Sequence, residues 1–129
     1  MSAAAGELVA AFASHDRQRY FDSFAANATF IFYSSDRIFQ NREEYESEWK
    51  AWEATGFKVL ACSSLKGGVT VLTQDVAIFT HLVRTKLNTA DGLIDTGERE
   101  TIVFQLLDGK WLGVHEHLSL DPTFAGGHM

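Results

Sequence analysis

The chain has 129 residues, 46% hydrophobic and 12% aromatic, with a single proline, which is the length and apolar content of one globular domain with a real core. Eleven basic against seventeen acidic residues give a formal charge of −6, so phosphate neutralisation has no source and nucleic acid is not an expected partner. Cys62 is the only cysteine, which excludes an internal disulfide, and no leader-like or membrane-length apolar run is present; no membrane partner and a cytoplasmic address are expected.

Helical periodicity comes first along the chain. Leu8, Ala11 and Phe12 share one face, and Asp16 caps a second helix in which Tyr20 and Phe24 stack at i, i+4. Thr29 to Tyr33 is a β-branched and aromatic run closed by Ser34-Ser35-Asp36, hence a short strand with Ile38-Phe39 as its returning partner. Asn41 followed by Glu44 resembles a capping box; Tyr45, Trp49 and Trp52 then recur at i, i+4, i+7 until Gly56 ends the helix. Such an aromatic stripe is core first, with pocket lining as the sharper reading for Tyr45 and Trp49.

From Phe57 the period changes to alternation. Strands are expected over Phe57 to Ser64, Val69 to Leu72, Val76 to Leu87, Leu93 to Leu107 and Lys110 to Leu120, separated by Gly67-Gly68, Thr73-Gln74-Asp75, Asn88 to Gly92 and Asp108-Gly109. Short turns make this a meander whose one face the N-terminal helices cover, an α+β roll in a single domain over 1–129. The tail from about residue 121 is expected to be flexible or in part a cloning remnant.

Register decides what each face carries. A three-residue loop with a bulge at Gly109 puts Ile102, Phe104 and Leu106 with Leu112, Val114 and Leu118 under the helices. Arg99, Thr101 and Gln105 then join Trp111, His115 and His117 outside. A two-residue loop would mix these sets. Glu100 and Glu116 fall opposite one another on the greasy face, an expensive place for unpaired charge. With Arg84 and Lys86 turned to solvent, Phe79, His81 and Val83 point inward, and pairing Asn88 with Leu93 sets His81 across from Glu100. The row His81, Glu100, Glu116 is the candidate catalytic set, because paired carboxyls split their pKa values and an imidazole beside them relays a proton. Ordinary solvated carboxylates at a rim are the bland counterpart. The H-x-H of His115 and His117 lacks a third ligand and has Arg99 beside it, so no metal is expected. No glycine pattern cradles a nucleotide, no nucleophile elbow occurs, and no cofactor is expected.

The run Arg99 to Phe104, the Asp108-Gly109-Lys110-Trp111 turn and Val114 to Ser119 together resemble the terminal hairpin of SnoaL-like proteins in the nuclear transport factor two-like superfamily. They are especially similar to the association domain of calcium/calmodulin-dependent kinase II. The resemblance implies a cystatin-like cone: three helices over a curved, mainly antiparallel sheet, with a pocket inside and homodimer pairing through the outer sheet face. Val83, Ile102 and Leu118 stand at positions matching the arginines of the kinase pocket, so a hydrophobic small molecule rather than a carboxylate is implied. Tyr20 is the one matched polar residue retained. Relatives such as ketosteroid isomerases, scytalone dehydratase, limonene epoxide hydrolase and polyketide cyclases set acidic groups in an apolar cone. By that likeness Glu100 or Glu116 is the base, the other carboxyl or His81 the acid, and Tyr20 or Tyr45 an oxyanion donor. A non-catalytic binding or association module is the alternative, since the fold hosts both. A tryptophan among polar groups on a sheet calls for cover, so Arg99, Thr101, Gln105, Trp111, His115 and His117 form the expected dimer interface; the competing cover is the segment after Leu120 folding back at Pro122.

Overall fold

A computed structural model describes residues 1–124. Helix α1 (Ser2–Ala13) turns Ala5, Leu8 and Ala11 inward, and α2 (Arg17–Asp22) begins where the Asp16 carboxylate accepts the Arg19 N–H at 3.2 Å. The Tyr20 and Phe24 rings do meet, edge to face at 5.3 Å, but across a break in structure. Phe24 opens strand β1 (Phe24–Phe32), five residues earlier than the β-branched run suggests. β1 pairs parallel with the last strand, β5 (Lys110–Leu120), and a shift of register between Phe24 and Thr29 carries the polar residues Asn27 and Thr29 across the kink. A single bridge joins Phe30 to Phe39, the returning partner expected.

Helix α3 (Arg42–Ala54) starts on a displaced capping box. Asn41 Oδ1 accepts the Glu44 N–H at 2.8 Å, while the Glu44 carboxylate reaches the N–H of Gln40 instead of that of Asn41. Gly56, at φ +107°, then takes the left-handed conformation that lets the chain leave the helix. Tyr45 and Trp49 are buried, 3% and 1% exposed, and the Tyr45 ring contacts Tyr20, Phe21, Phe30, Phe32 and Phe39. This aromatic layer is the core between helices and sheet.

The sheet has the order β1-β5-β4-β3-β2, with β2 (Lys58–Val71), β3 (Val76–Thr89), β4 (Gly92–Leu107) and β5 forming an antiparallel meander. The two strands expected around Gly67-Gly68 are one strand carrying a bulge: Leu65 faces Leu82 and Gly68 faces Thr80, so Lys66 and Gly67 together oppose His81. Pairing of β3 with β4 follows the expected register, Asn88 opposite Leu93 and His81 opposite Glu100.

The last hairpin corrects the sequence reading. Asp108-Gly109 is the whole loop, at φ 50° and 79°, the mirror-image turn whose twist suits a hairpin. The odd residue sits further on, at Val114, between the pairs Phe104 with Gly113 and Val103 with His115. Its cause is tertiary: a Cβ on Gly113 would lie 2.7 Å from the Phe24 ring, so the strand bends where β1 presses on it. Trp111, expected outside, therefore lies opposite Leu106 and packs against the core, while Leu112 moves outward opposite Gln105. Beyond the bulge the expected faces return, with His115 and His117 opposite Val103 and Thr101, and Glu116 opposite Ile102.

The start of the expected tail is packed. Asp121 is buried, its N–H donates to Gly97 O, and Arg84 donates to its carboxylate at 2.9 Å. The Phe124 ring lies against Gly97 and under the Arg84 guanidinium. Residues 125–129 lie outside the described residues.

Candidate functional site

Between the helices and the inner sheet face lies a cavity of about 130 Å³, of the scale that accepts a single six-membered ring. Helices supply Phe12, Tyr20, Tyr45, Trp49 and Trp52; the sheet supplies Val83, Leu118, Glu98, Glu100 and Glu116, with His81 between them. Among the described residues no lysine or arginine lines it. Ile102 and Phe104, expected as lining, are instead fully buried beneath it, and Phe79 faces a neighbouring groove. Val114, at the bulge, is also absent from the cavity wall.

The polar groups form one hydrogen-bonded chain. Ser64 Oγ lies 2.6 Å from His81 Nδ1, and His81 Nε2 lies 2.6 Å from Glu100 Oε1. Glu100 is hydrogen-bonded to Glu116; Tyr20 donates to Glu116 Oε1 at 3.2 Å, and the Tyr20 and Tyr45 hydroxyls are 2.9 Å apart. Glu116 opposes Ile102, so the two carboxyls meet on a diagonal between strands, not directly opposite as expected.

Proton bookkeeping gives this chain a direction. Burial pushes the Glu116 carboxyl well above the usual range, and the charge of Glu100 beside it pushes the same way. Glu100 is also raised, by burial, but the hydrogen bond from Glu116 favours its ionised form. Burial lowers His81 to about 4, against the smaller upward pull of Glu116, so its imidazole is neutral at pH 7. A neutral imidazole has one N–H. If that proton is on Nε2 it donates to Glu100, and Nδ1 accepts from Ser64. From the other side the neutral Glu116 donates to Glu100, Tyr20 donates to Glu116, and Tyr45 donates to Tyr20. Every donor points toward Glu100, which concentrates one negative charge in an apolar room. Burial holds both tyrosines well above their ordinary pKa, so they remain donors.

Three polar neighbours escaped the sequence reading. Glu98 lines the same wall, two residues before Glu100, and accepts from the Tyr33 and Thr96 hydroxyls. Alternation from Glu100 carried that signal. Ser64 had no such signal, because its approach to His81 depends on the β2 bulge. Cys62, with Thr85 donating to its sulfur, lines the cavity, and burial pushes its thiol up to about 11.

On the outer face Thr29 Oγ1 lies 2.7 Å from His115 Nδ1, with Arg99, Thr101, Gln105 and His117 around it. No group of three potential metal ligands occurs among the described residues, and no described helix is long and apolar enough to cross a membrane.

Residues 2–122 match the family profile described as a SnoaL-like domain. Among solved structures, a putative calcium/calmodulin-dependent protein kinase II association domain from Xanthomonas campestris is 22% identical, with TM-score 0.78, covering 95% of this chain and 86% of that one. A nuclear transport factor two-like protein of unknown function in nutrient uptake from Rhodospirillum rubrum is 15% identical, with TM-score 0.80 and coverage of 93% and 97%. A ketosteroid isomerase-like protein from Erwinia carotovora is 16% identical, with TM-score 0.78 and coverage of 92% of each chain. At these identities the likeness is one of fold. No curated protein matches the sequence at a significant level.

Proposed function

The chain belongs to the SnoaL-like domain family, and from that premise we propose that it is a cofactor-independent acid–base enzyme acting on a small, apolar, cyclic carbonyl compound. One observation carries this: a hydrogen-bonded chain from Ser64 through His81 reaches Glu100, and another through the two tyrosine hydroxyls reaches Glu116 beside it, inside a cavity lined mostly by rings and aliphatic groups. Glu100 is the base that takes a proton from the carbon beside the carbonyl. Tyr45 is the end of the chain, so its hydroxyl turns to the developing oxyanion without breaking the bond from Tyr20 to Glu116. Redelivery of the proton at another carbon makes the reaction an isomerisation; loss of a hydroxyl group would make it a dehydration. Cyclase and hydrolase chemistry use the same parts.

Glu100→Gln and Glu116→Gln, made separately, test this together with carboxyl-resolved NMR titration of the native protein. Two unshifted carboxyls would remove the acid–base reading. A thermal-shift screen of monocyclic terpenoid and polyketide-like ketones, with product analysis of each hit, separates turnover from binding. Stabilisation without product would favour a ligand-binding or association module. The reading includes a homodimer through the outer face, supported by the cluster of Arg99, Thr101, Gln105, His115 and His117 there.

A further inference from the structure

The hydrogen-bonded relay occupies one part of the cavity wall, and a second set of polar groups lies further along the same strands. Inward positions on β4 run back from Glu100 to Glu98 and Thr96, about 7 Å and 13 Å away at the rise of a strand. On β3 the inward series keeps step, with Val83 opposite Glu98 and Thr85 opposite Thr96, and all four side chains line the cavity. Thr85 and Thr96 are only 5% and 6% exposed. Their bonds are long: Thr96 Oγ1 donates to Glu98 Oε1 at 3.4 Å, and Thr85 Oγ1 donates to Cys62 Sγ at 3.6 Å. Among the described residues neither hydroxyl oxygen accepts a hydrogen bond. Glu98 accepts from the hydroxyls of Tyr33 and Thr96, whereas a carboxylate offers about four acceptor positions. Buried acceptors are ordinarily filled, so this part of the wall is short of donors.

We propose that Glu98, Thr96 and Thr85 form a hydroxyl-binding subsite, and that the substrate is a cyclic ketone bearing a hydroxyl group across the ring from its carbonyl. The inference rests on the acid–base reading of Glu100 and narrows its substrate class. The ligand hydroxyl donates to Glu98, and its oxygen accepts from Thr96, whose proton turns from the long bond to a better one. A spacing of about 7 Å between Glu98 and Glu100 suits one six-membered ring with a polar group at each end, which is also what a cavity of about 130 Å³ holds. An ammonium group fits less well, because it only donates and leaves the threonine protons where they are. Holding the hydroxyl fixes the ring at its far end, so that the carbon beside the carbonyl comes to rest at Glu100. Glu98 sets specificity here and takes no proton from carbon.

The test compares 4-hydroxycyclohexanone with 4-methylcyclohexanone, which fills the same space without a donor. Both are titrated into the native protein and read by NMR from the indole N–H of Trp52 in the cavity wall. The hydroxy ketone is expected to bind about tenfold more tightly than the methyl ketone. Glu98→Met should bring that ratio close to one. Thr96→Val, which is nearly isosteric, should lower it by about threefold, and Thr96→Ser, which keeps the hydroxyl, should retain it. Equal binding of the two ketones by the native protein, or a preference that persists in both Glu98→Met and Thr96→Val, overturns the subsite and leaves the acid–base reading standing. Tighter binding of 4-aminocyclohexanone in its ammonium form than of the hydroxy ketone overturns the hydroxyl assignment in favour of a cation. Binding of neither neutral ketone overturns the subsite together with the reading of the cavity as a room for a cyclic carbonyl compound.

Discussion

Strand β5 carries His115, Glu116 and His117 in succession, and its two faces treat them as different chemistry. Inward, Glu116 is 3% exposed and meets Glu100 and Tyr20; outward, His115 bonds Thr29 and His117 lies open to solvent. Burial lowers both His81 on the inner face and His115 on the outer one, and takes the inner imidazole down to about 4. A polar residue on this sheet gains a proton-transfer environment from the helices above it, not from its neighbours in sequence. The inner face is costly to disturb; the outer face is not.

The largest effect is expected on turnover. Glu100→Gln removes the acceptor on which the chain converges and should lower kcat by about 10²–10⁴-fold, with KM for an apolar ligand little changed. Glu116→Gln keeps a donor toward Glu100 and should lower kcat less. Equal losses in the two variants, measured on any compound found to turn over, would break the assignment of Glu100 as base.

Next comes stability. His81→Ala leaves Ser64 and Glu100 without their shared partner in a wall where no buried side-chain N or O among the described residues lacks one, and should cost roughly 2–3 kcal/mol. His115→Ala, on the half-buried outer face, should cost about 1 kcal/mol or less. Urea unfolding of both variants sharpens the contrast directly, and similar losses would erase it.

How much of this was legible depends on what set each register. The β3–β4 turn and the Asn88 to Leu93 pairing are local, so the opposition of His81 and Glu100 followed from alternation alone. The β4–β5 hairpin did not, because its bulge answers to Phe24 pressing on Gly113 from β1, far away along the chain. The errors there, Trp111 placed outside and Leu112 inside, lie between the turn and the bulge at Val114; past the bulge the expected faces hold. Ser64 needed the β2 bulge as well. Glycines and aromatic periodicity announced breaks and cores, but not which ring would press on which strand.

Acid titration divides the histidines from the buried carboxyls by sign. His81 falls from 6.5 to about 4 on folding, so the unfolded chain binds more protons in that window and stability is lost as pH drops from about 6.5 toward 4. The lowered His115 acts in the same direction. Glu98, Glu100 and Glu116 are raised, so their contribution is full below about 4.5 and is lost as pH rises through their folded values, which opposes the histidines. Glu116→Gln deletes one opposing group. Between pH 6.5 and 4.5 this variant should lose stability more steeply on acidification than the native chain does, as read by urea unfolding at several pH values; parallel curves would mean that Glu116 titrates no differently folded than unfolded.

The smallest effect on the chain itself is expected outside, where assembly rather than chemistry is at stake. Trp111 is occupied by the core, which leaves Thr101, paired with His117 and flanked by Arg99 and Val103, at the centre of the polar outer cluster. The Asp121 to Phe124 segment covers the Gly97 and Arg84 corner of that face. A two-fold contact would bring the same residues of both copies together, so Thr101→Arg sets like charges against each other at the axis. The native chain should sediment as a dimer at micromolar concentration and Thr101→Arg as a monomer, with per-chain stability changed by about 0.5 kcal/mol or less. The protonated carboxyl band of Glu116 in the infrared should be the same in both, because the Thr101 side chain lies on the face opposite the relay. A native chain that sediments as a monomer would remove the dimer, and a carboxyl band that shifts in Thr101→Arg would show that the two faces are coupled after all.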